Sequence, residues 1–138
     1  MRRRLANIAS MSTAYRHISV QEKSGVLVLT IGLARVATYE LAESMGRELI
    51  ESVRATTPNK VVVELSQIEY MSSVGYGPLI SLHGMIRDAG GRLILCGLSP
   101  VIRQMFEATR LLINPRSPQS LFEFTDTVEN AVAMLRRA

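Results

Sequence analysis

A chain of 138 residues, of which 47% are hydrophobic and 20% charged, has the composition of a single globular domain. No apolar run approaches the ~20 residues of a transmembrane helix, so we expect no membrane insertion. The net charge of +4 depends on arginines near the two ends, and the rest of the chain is close to neutral, which argues against direct contact with nucleic acid.

The first twelve residues predict an extension rather than a folded element. They begin with three arginines, Arg2 to Arg4, but lack the continuous apolar segment of a signal peptide. We therefore predict a flexible basic extension over residues 1–12, one domain over residues 13–138, and a cytoplasmic location. The single cysteine, Cys96, excludes an internal disulfide and fits a reducing compartment.

The first half of that domain predicts a hairpin, a helix and a buried strand. Residues 15–20 and 26–31 have strand patterns and are separated by a short turn containing Gly25. Residues 38–54 place apolar side chains on one face of a helix. Residues 61–65 are nearly all apolar, which indicates burial on both faces and parallel neighbours.

The second half continues the alternation of helices and strands. It predicts a helix that begins at or just after Ser72 and Ser73 and has apolar side chains at helical spacing over residues 79–89. A strand over 92–97 and a helix capped by Ser99, with Pro100 as its first residue, are predicted next. The remaining predictions are a loop at 114–118, a short strand at 121–124 and a last helix that begins with a capping box at Asp126. The order β-β-α-β-α-β-α-β-α predicts an α/β fold. We expect a mainly parallel sheet with an N-terminal antiparallel hairpin and about four helices.

Residues that could perform catalysis or bind metal are sparse. His17 and His83 lie far apart without ligand-spaced neighbours, and Cys96 lies within an apolar strand, so we predict no metal site, no cofactor and no catalytic residue. Gly75 and Gly77 lack the lysine of a phosphate-binding loop. Gly75 is interpreted as a close-packing position at the start of a helix.

Two serines lie where a strand gives way to a helix. Ser72 and Ser73 precede a helix start, where backbone N–H groups lack partners and the helix dipole is positive. Such a position suits a capping hydroxyl, an anion or a phosphorylated serine. From these residues alone, the three uses remain open.

The same stretch resembles the STAS domain (sulphate transporter and anti-sigma-factor antagonist), whose motif is approximately Asp-Ser-Ser/Thr-Gly-Leu-Gly after an apolar strand. The corresponding residues here are Ser72-Ser73-Val74-Gly75-Tyr76-Gly77. The similarity extends through residues 90–106 and 124–131. The chain departs from the pattern because Ser72 replaces the Asp, Val74 the second hydroxyl and Tyr76 the Leu, and because Pro78 follows.

The resemblance implies an anti-sigma-factor antagonist, which is a binding protein and not an enzyme. The implied partners are an anti-sigma factor that acts as a serine kinase and a serine phosphatase. Ser73 would be the phosphoacceptor, and Ser72 is the better candidate for a helix cap. Residues 72–77, including Tyr76, would bind the partner together with the exposed side of the second helix. The alternative is a STAS scaffold module that is not phosphorylated and that docks within a signalling or transport assembly. Homodimerisation is left open.

Overall fold

A computed structural model describes residues 15–109, 111 and 122–137. The strands in these ranges are β1 (Ile18–Lys23), β2 (Val26–Ile31), β3 (Arg35–Val36), β4 (Lys60–Glu64), β5 (Tyr70–Met71), β6 (Arg92–Cys96) and β7 (Glu123–Thr125). The helices there are α1 (Tyr39–Thr56), α2 (Tyr76–Asp88), α3 (Pro100–Ala108) and α4 (Val128–Arg136). The predicted extension over residues 1–12 and the predicted loop at 114–118 lie outside the described residues.

The main sheet has the strand order β1-β2-β4-β6-β7. β1 pairs antiparallel with β2, and the other three pairings are parallel. This arrangement confirms the predicted α/β fold with its antiparallel hairpin and four helices. β4, the apolar strand, lies in the middle between β2 and β6, as its composition indicates.

Both faces of the sheet are covered, and the strand side chains divide between them by alternation. In β2, Leu27, Leu29 and Ile31 belong to the large core, which is shared with α1, α2 and α3. Val26 and Val28 belong to a smaller core on the opposite face. The α4 residues that cover that smaller core are Val128, Ala131 and Leu135. Burial on both faces therefore explains why the central strands are continuously apolar.

The structure corrects several element boundaries. β1 begins at Ile18 rather than at residue 15. The α-helical part of α2 begins at Tyr76, because a 3-10 turn at Ser73–Gly75 separates it from Ser72. The last helix is capped by Thr127, whose Oγ1 accepts the Asn130 N–H at 3.1 Å, and not by Asp126. Ser99 caps α3 as predicted.

The prediction also missed a second, two-stranded sheet. β3 pairs parallel with β5, with Arg35 opposite Tyr70 and Val36 opposite Met71. Strands of two residues are too short to produce a readable alternation. This small sheet immediately precedes the serine pair.

Candidate functional site

The serine pair lies on a corner that main-chain hydrogen bonds hold in place. The Ser72 N–H donates to the Val36 carbonyl oxygen at 2.9 Å, which extends the pairing of β3 with β5. Residues Ser73–Gly75 then form one 3-10 turn that leads directly into α2. The Gly75 N–H donates to the Ser72 carbonyl oxygen at 3.0 Å. The corner therefore has a defined backbone path from strand to helix.

Gly75 is the residue that lets this corner close. A Cβ on residue 75 would overlap the side chain of Met71, which is completely buried beneath it. The close-packing interpretation of Gly75 is therefore confirmed. A Cβ on Gly77, by contrast, would meet no atom within 4 Å.

The two serines differ in exposure. Ser73 is exposed, whereas Ser72 is half-buried. Ser72 occupies the N-cap position of the 3-10 turn, but its side chain makes no capping hydrogen bond. Its Oγ lies 3.5 Å from the Ala37 carbonyl oxygen, which is a long contact. The prediction that Ser72 caps the helix is wrong, because its hydroxyl faces the chain that follows β3.

Tyr76 belongs to the core rather than to an interface. Its ring packs edge to face on Phe106 at a centroid distance of 5.1 Å, and the residue is 9% exposed. Burial raises the pKa of Tyr76, and a hydrogen bond with Thr109 partly offsets that rise. The predicted partner contact through the Tyr76 side chain is therefore corrected, since this aromatic residue joins α2 to α3 instead. Gly75 is buried as well, while Gly77 is exposed and Val74 half-buried.

A groove of about 560 Å³ runs between α1 and α2 and reaches the serine corner. Its lining from α1 is Tyr39, Ala42, Glu43, Gly46, Arg47 and Ile50. Its lining from the corner and α2 is Ser73, Val74, Gly77, Pro78 and Ser81. The corner therefore opens onto a concave surface that is mainly apolar, and Ser73 lies at its edge, where the turn begins.

Sequence reasoning missed the α1 side of this groove. Tyr39, Glu43, Gly46 and Ile50 follow one another at intervals of four, three and four residues, which places them on one helix face. That stripe mixes an aromatic, a carboxylate, a glycine and an aliphatic residue, so apolar periodicity does not reveal it. Tyr39 is 68% exposed, which is unusual for an aromatic residue and could have been noticed only from the structure.

The groove carries one ion pair. Arg47 Nη2 lies 4.0 Å from Glu43 Oε1, and both side chains are more than half exposed. Such a pair contributes little to stability because water and salt screen it. Both charges are therefore available for other interactions.

The described residues do not include a group of three or more His, Cys, Asp or Glu side chains that could hold a metal ion. His17 Nε2 lies 3.1 Å from Ser44 Oγ on α1, and the His83 ring packs on Phe122 at a centroid distance of 5.2 Å. Cys96 is buried, and burial together with the neighbouring carboxylates of Glu64 and Glu129 raises its pKa to about 12. A thiol with such a pKa is a poor nucleophile.

Over the part of the chain that the structure describes, we find no helix with the length and apolar character needed to cross a membrane.

Comparisons with known proteins agree with this geometry. The model of the STAS domain family matches residues 17–131. The Bordetella bronchiseptica protein named "Putative anti-sigma factor antagonist BtrV" is 30% identical over 121 residues, which are 88% of this chain and 96% of that protein. The crystal structure of TM1081 from Thermotoga maritima, which carries the same description, has a TM-score of 0.73 at 19% identity and covers 87% of this chain and 95% of its own.

A further structural likeness is to SpoIIAA of Bacillus in its phosphorylated form. It has a TM-score of 0.60 at 16% identity and covers 86% of this chain and 99% of that one. At such identities the two structural likenesses concern the fold alone.

Proposed function

This chain belongs to the STAS domain family, and we propose that it is an anti-sigma-factor antagonist whose binding to an anti-sigma factor is abolished by phosphorylation of Ser73. The anti-sigma factor is the serine kinase, and a serine phosphatase restores the unmodified form. The protein acts in the cytoplasm as a binding partner rather than as an enzyme. The likeness to relatives named as anti-sigma factor antagonists supports this proposal.

The observation that carries the assignment of Ser73 is its exposure on an otherwise fixed corner. A kinase must reach the acceptor hydroxyl, and among residues 72–77 the exposed positions are Ser73 and Gly77. Ser72 turns its hydroxyl towards Ala37 instead. Ser73 is therefore the residue of this pair that suits modification.

The groove between α1 and α2 provides the surface for the partner. Its apolar side chains, among them Tyr39, Val74 and Pro78, would be covered in the complex, and Ser73 would lie beneath the covering segment. Aromatic side chains such as that of Tyr39 commonly supply much of the binding energy of an interface. This surface replaces Tyr76 in the interface inferred from the sequence.

Phosphorylation would act on the complex rather than on the fold. A phosphate adds about −1.5 to −2 charges at neutral pH. A partner packed over Ser73 would have to remove water from that charge, which costs several kcal/mol unless the partner supplies cations. Since about 1.4 kcal/mol corresponds to a tenfold change in affinity, a loss of roughly 100-fold or more is expected.

The test compares the affinity of the cognate anti-sigma factor for four forms by isothermal titration calorimetry. We expect Ser73→Glu to bind about 100-fold more weakly than the wild type, while Ser73→Ala and the control Ser19→Glu, an exposed position on β1, bind normally. Thermal unfolding of Ser73→Glu should remain close to that of the wild type. Equal affinities for the wild type and Ser73→Glu would refute the switch.

The second candidate is a scaffold module that is not phosphorylated. Ser72 favours this candidate, because it stands where the family pattern has Asp and the motif that a kinase would recognise therefore lacks its carboxylate. Mass spectrometry after incubation with the kinase and ATP separates the two candidates. A phosphate on Ser73 that is missing in Ser73→Ala supports the switch, and an unmodified wild-type chain supports the scaffold.

A further inference from the structure

The groove between α1 and α2 contains, among the residues described, one cationic side chain, that of Arg47. The proposed binding of an anti-sigma factor gives this side chain no role. We propose that Arg47 is the internal counter-ion of phosphorylated Ser73, so that the phosphate turns into the groove and pairs with Arg47 in place of Glu43. This inference rests on the proposed phosphorylation of Ser73. It adds a second effect to the switch, because the phosphate would occupy the groove as well as bring charge to the surface.

The packing of the two helices brings Arg47 to the groove. The residue before it, Gly46, is buried against Pro78, and a Cβ there would lie 2.8 Å from the Pro78 Cβ. Pro78 is only five residues beyond Ser73. The two helices are therefore in close contact beside the serine corner, and Ser73 and Arg47 line the same cavity. The long, flexible arginine side chain can follow the groove towards the turn.

The present partner of Arg47 is a weak competitor. Its pair with Glu43 spans 4.0 Å, and the two side chains are 64% and 55% exposed. A phosphate carries up to twice the charge of a carboxylate and offers three acceptor oxygens. Arginine binds such groups with two parallel hydrogen bonds. Exchange of Glu43 for the phosphate is therefore favourable.

The rest of the groove does not oppose the phosphate. Among the described residues that line it, Glu43 is the one carboxylate and Arg47 the one cation. The 3-10 turn and the first turn of α2 contain no acidic residue. The charged side chains that line the groove with Ser73 are thus Arg47 and Glu43, and their charges are opposite in sign.

The experiment measures the second pKa of the phosphate by ³¹P NMR titration of protein with phosphoserine placed at position 73 during translation. No kinase or partner is needed. We expect Arg47→Gln to raise this pKa by about 0.5 or more, because it removes the cation that favours the dianion. Glu43→Gln should lower it, because it removes the competing carboxylate.

Arg54→Gln is the matched control. Arg54 is an exposed arginine of the same helix, but it lies beside Pro58 and Met85 in a separate groove. Its removal changes the net charge equally and should leave the phosphate pKa within about 0.1 of the wild-type value. Equal values for the wild type and Arg47→Gln, or equal increases in Arg47→Gln and Arg54→Gln, would overturn the internal pair.

The result of the titration does not depend on whether a kinase phosphorylates Ser73. If the kinase leaves Ser73 unmodified, the titration still reports whether Arg47 contacts a phosphate at that position. If phosphorylation abolishes binding of the anti-sigma factor but Arg47→Gln does not change the titration, the switch stands and the role of Arg47 is wrong.

Discussion

Gly46 of α1 and Pro78 of α2 pack so closely that a Cβ on residue 46 would lie 2.8 Å from the Pro78 Cβ and 3.2 Å from its Cγ. Pro78 is tolerated in the first turn of α2 because the N–H that it lacks has no intrahelical acceptor there. The pair sets the separation of the two helices that form the groove. The proline that departs from the family pattern thus has a glycine opposite it to receive its ring.

Gly46→Ala should destabilise the protein. Alanine is the better helix former by about 0.5–1 kcal/mol, but the added methyl group overlaps Pro78 and overpacking costs about 1–3 kcal/mol. We expect a net loss of about 1 kcal/mol, measured by urea unfolding followed by circular dichroism. The control is Gly84→Ala in α2, where a Cβ would meet only the Arg87 Nη2 at 4.0 Å. That variant should gain about 0.5 kcal/mol. A gain in both variants would contradict the close approach of the helices.

The ion pair between Arg92 and Glu123 should contribute measurably to stability, unlike the pair in the groove. Arg92 Nε and Nη2 donate to the two Glu123 carboxylate oxygens at 2.7 and 2.5 Å, and the side chains are 37% and 29% exposed. Double-mutant cycles with Arg92→Gln and Glu123→Gln should give a coupling of about 1.5 kcal/mol. The same cycle for Arg47 and Glu43 should give about 0.5 kcal/mol or less. Equal coupling energies for the two pairs would show that the double hydrogen bond and lower exposure of the Arg92–Glu123 pair add nothing to stability.

The free energy of unfolding should fall in mild acid because of the His83 side chain. The buried Nδ1 of His83 has no hydrogen-bond partner among the described residues. Burial and the charge of Arg87 lower the His83 pKa, and Glu123 partly offsets this. The unfolded chain, with a histidine pKa of about 6.5, therefore takes up the proton first as the pH falls, and folding becomes less favourable below that value.

The measurement is the free energy of unfolding at pH 7.5 and 5.5 for the wild type and His83→Gln. Glutamine does not titrate, so the loss between the two pH values should be smaller in the variant. We compare the change in the free energy of unfolding between the two pH values in each protein. This cancels the effect of the ring contact with Phe122, which the variant lacks at both pH values. A loss of the same size in both proteins would exclude His83 as its source.

Cys96 should resist alkylation in the folded protein. Its pKa of about 12 leaves almost no thiolate at pH 8, and the side chain is fully buried. Reaction with iodoacetamide should therefore be at least about 1,000-fold slower than in urea, where the pKa returns to about 8.5. As the chain has one cysteine, mass spectrometry reads the result directly. Comparable rates in both states would mean that the strand end at Cys96 opens readily.

The central sheet could be predicted from local patterns. The apolar runs of β2 and β4 reflect burial on both faces of the sheet, and such continuous runs can be recognised in the sequence. The serines and glycines around Gly75 also form a local pattern, and they indicated where the strand gives way to the helix. β3 and β5 escaped prediction because each has two residues and depends on a partner more than 30 positions away.

The sequence by itself determined the fold class, the family and the position of Ser73 at a turn into a helix, because these follow from short-range spacing and a contiguous motif. Only the tertiary structure decided which side chains of that motif face outward. Tyr76 is buried because Phe106, thirty residues later, lies beneath it. Arg47 reaches the groove of Ser73 because Gly46 and Pro78 let two helices approach. Such contacts depend on how distant segments pack, and no local pattern encodes that packing.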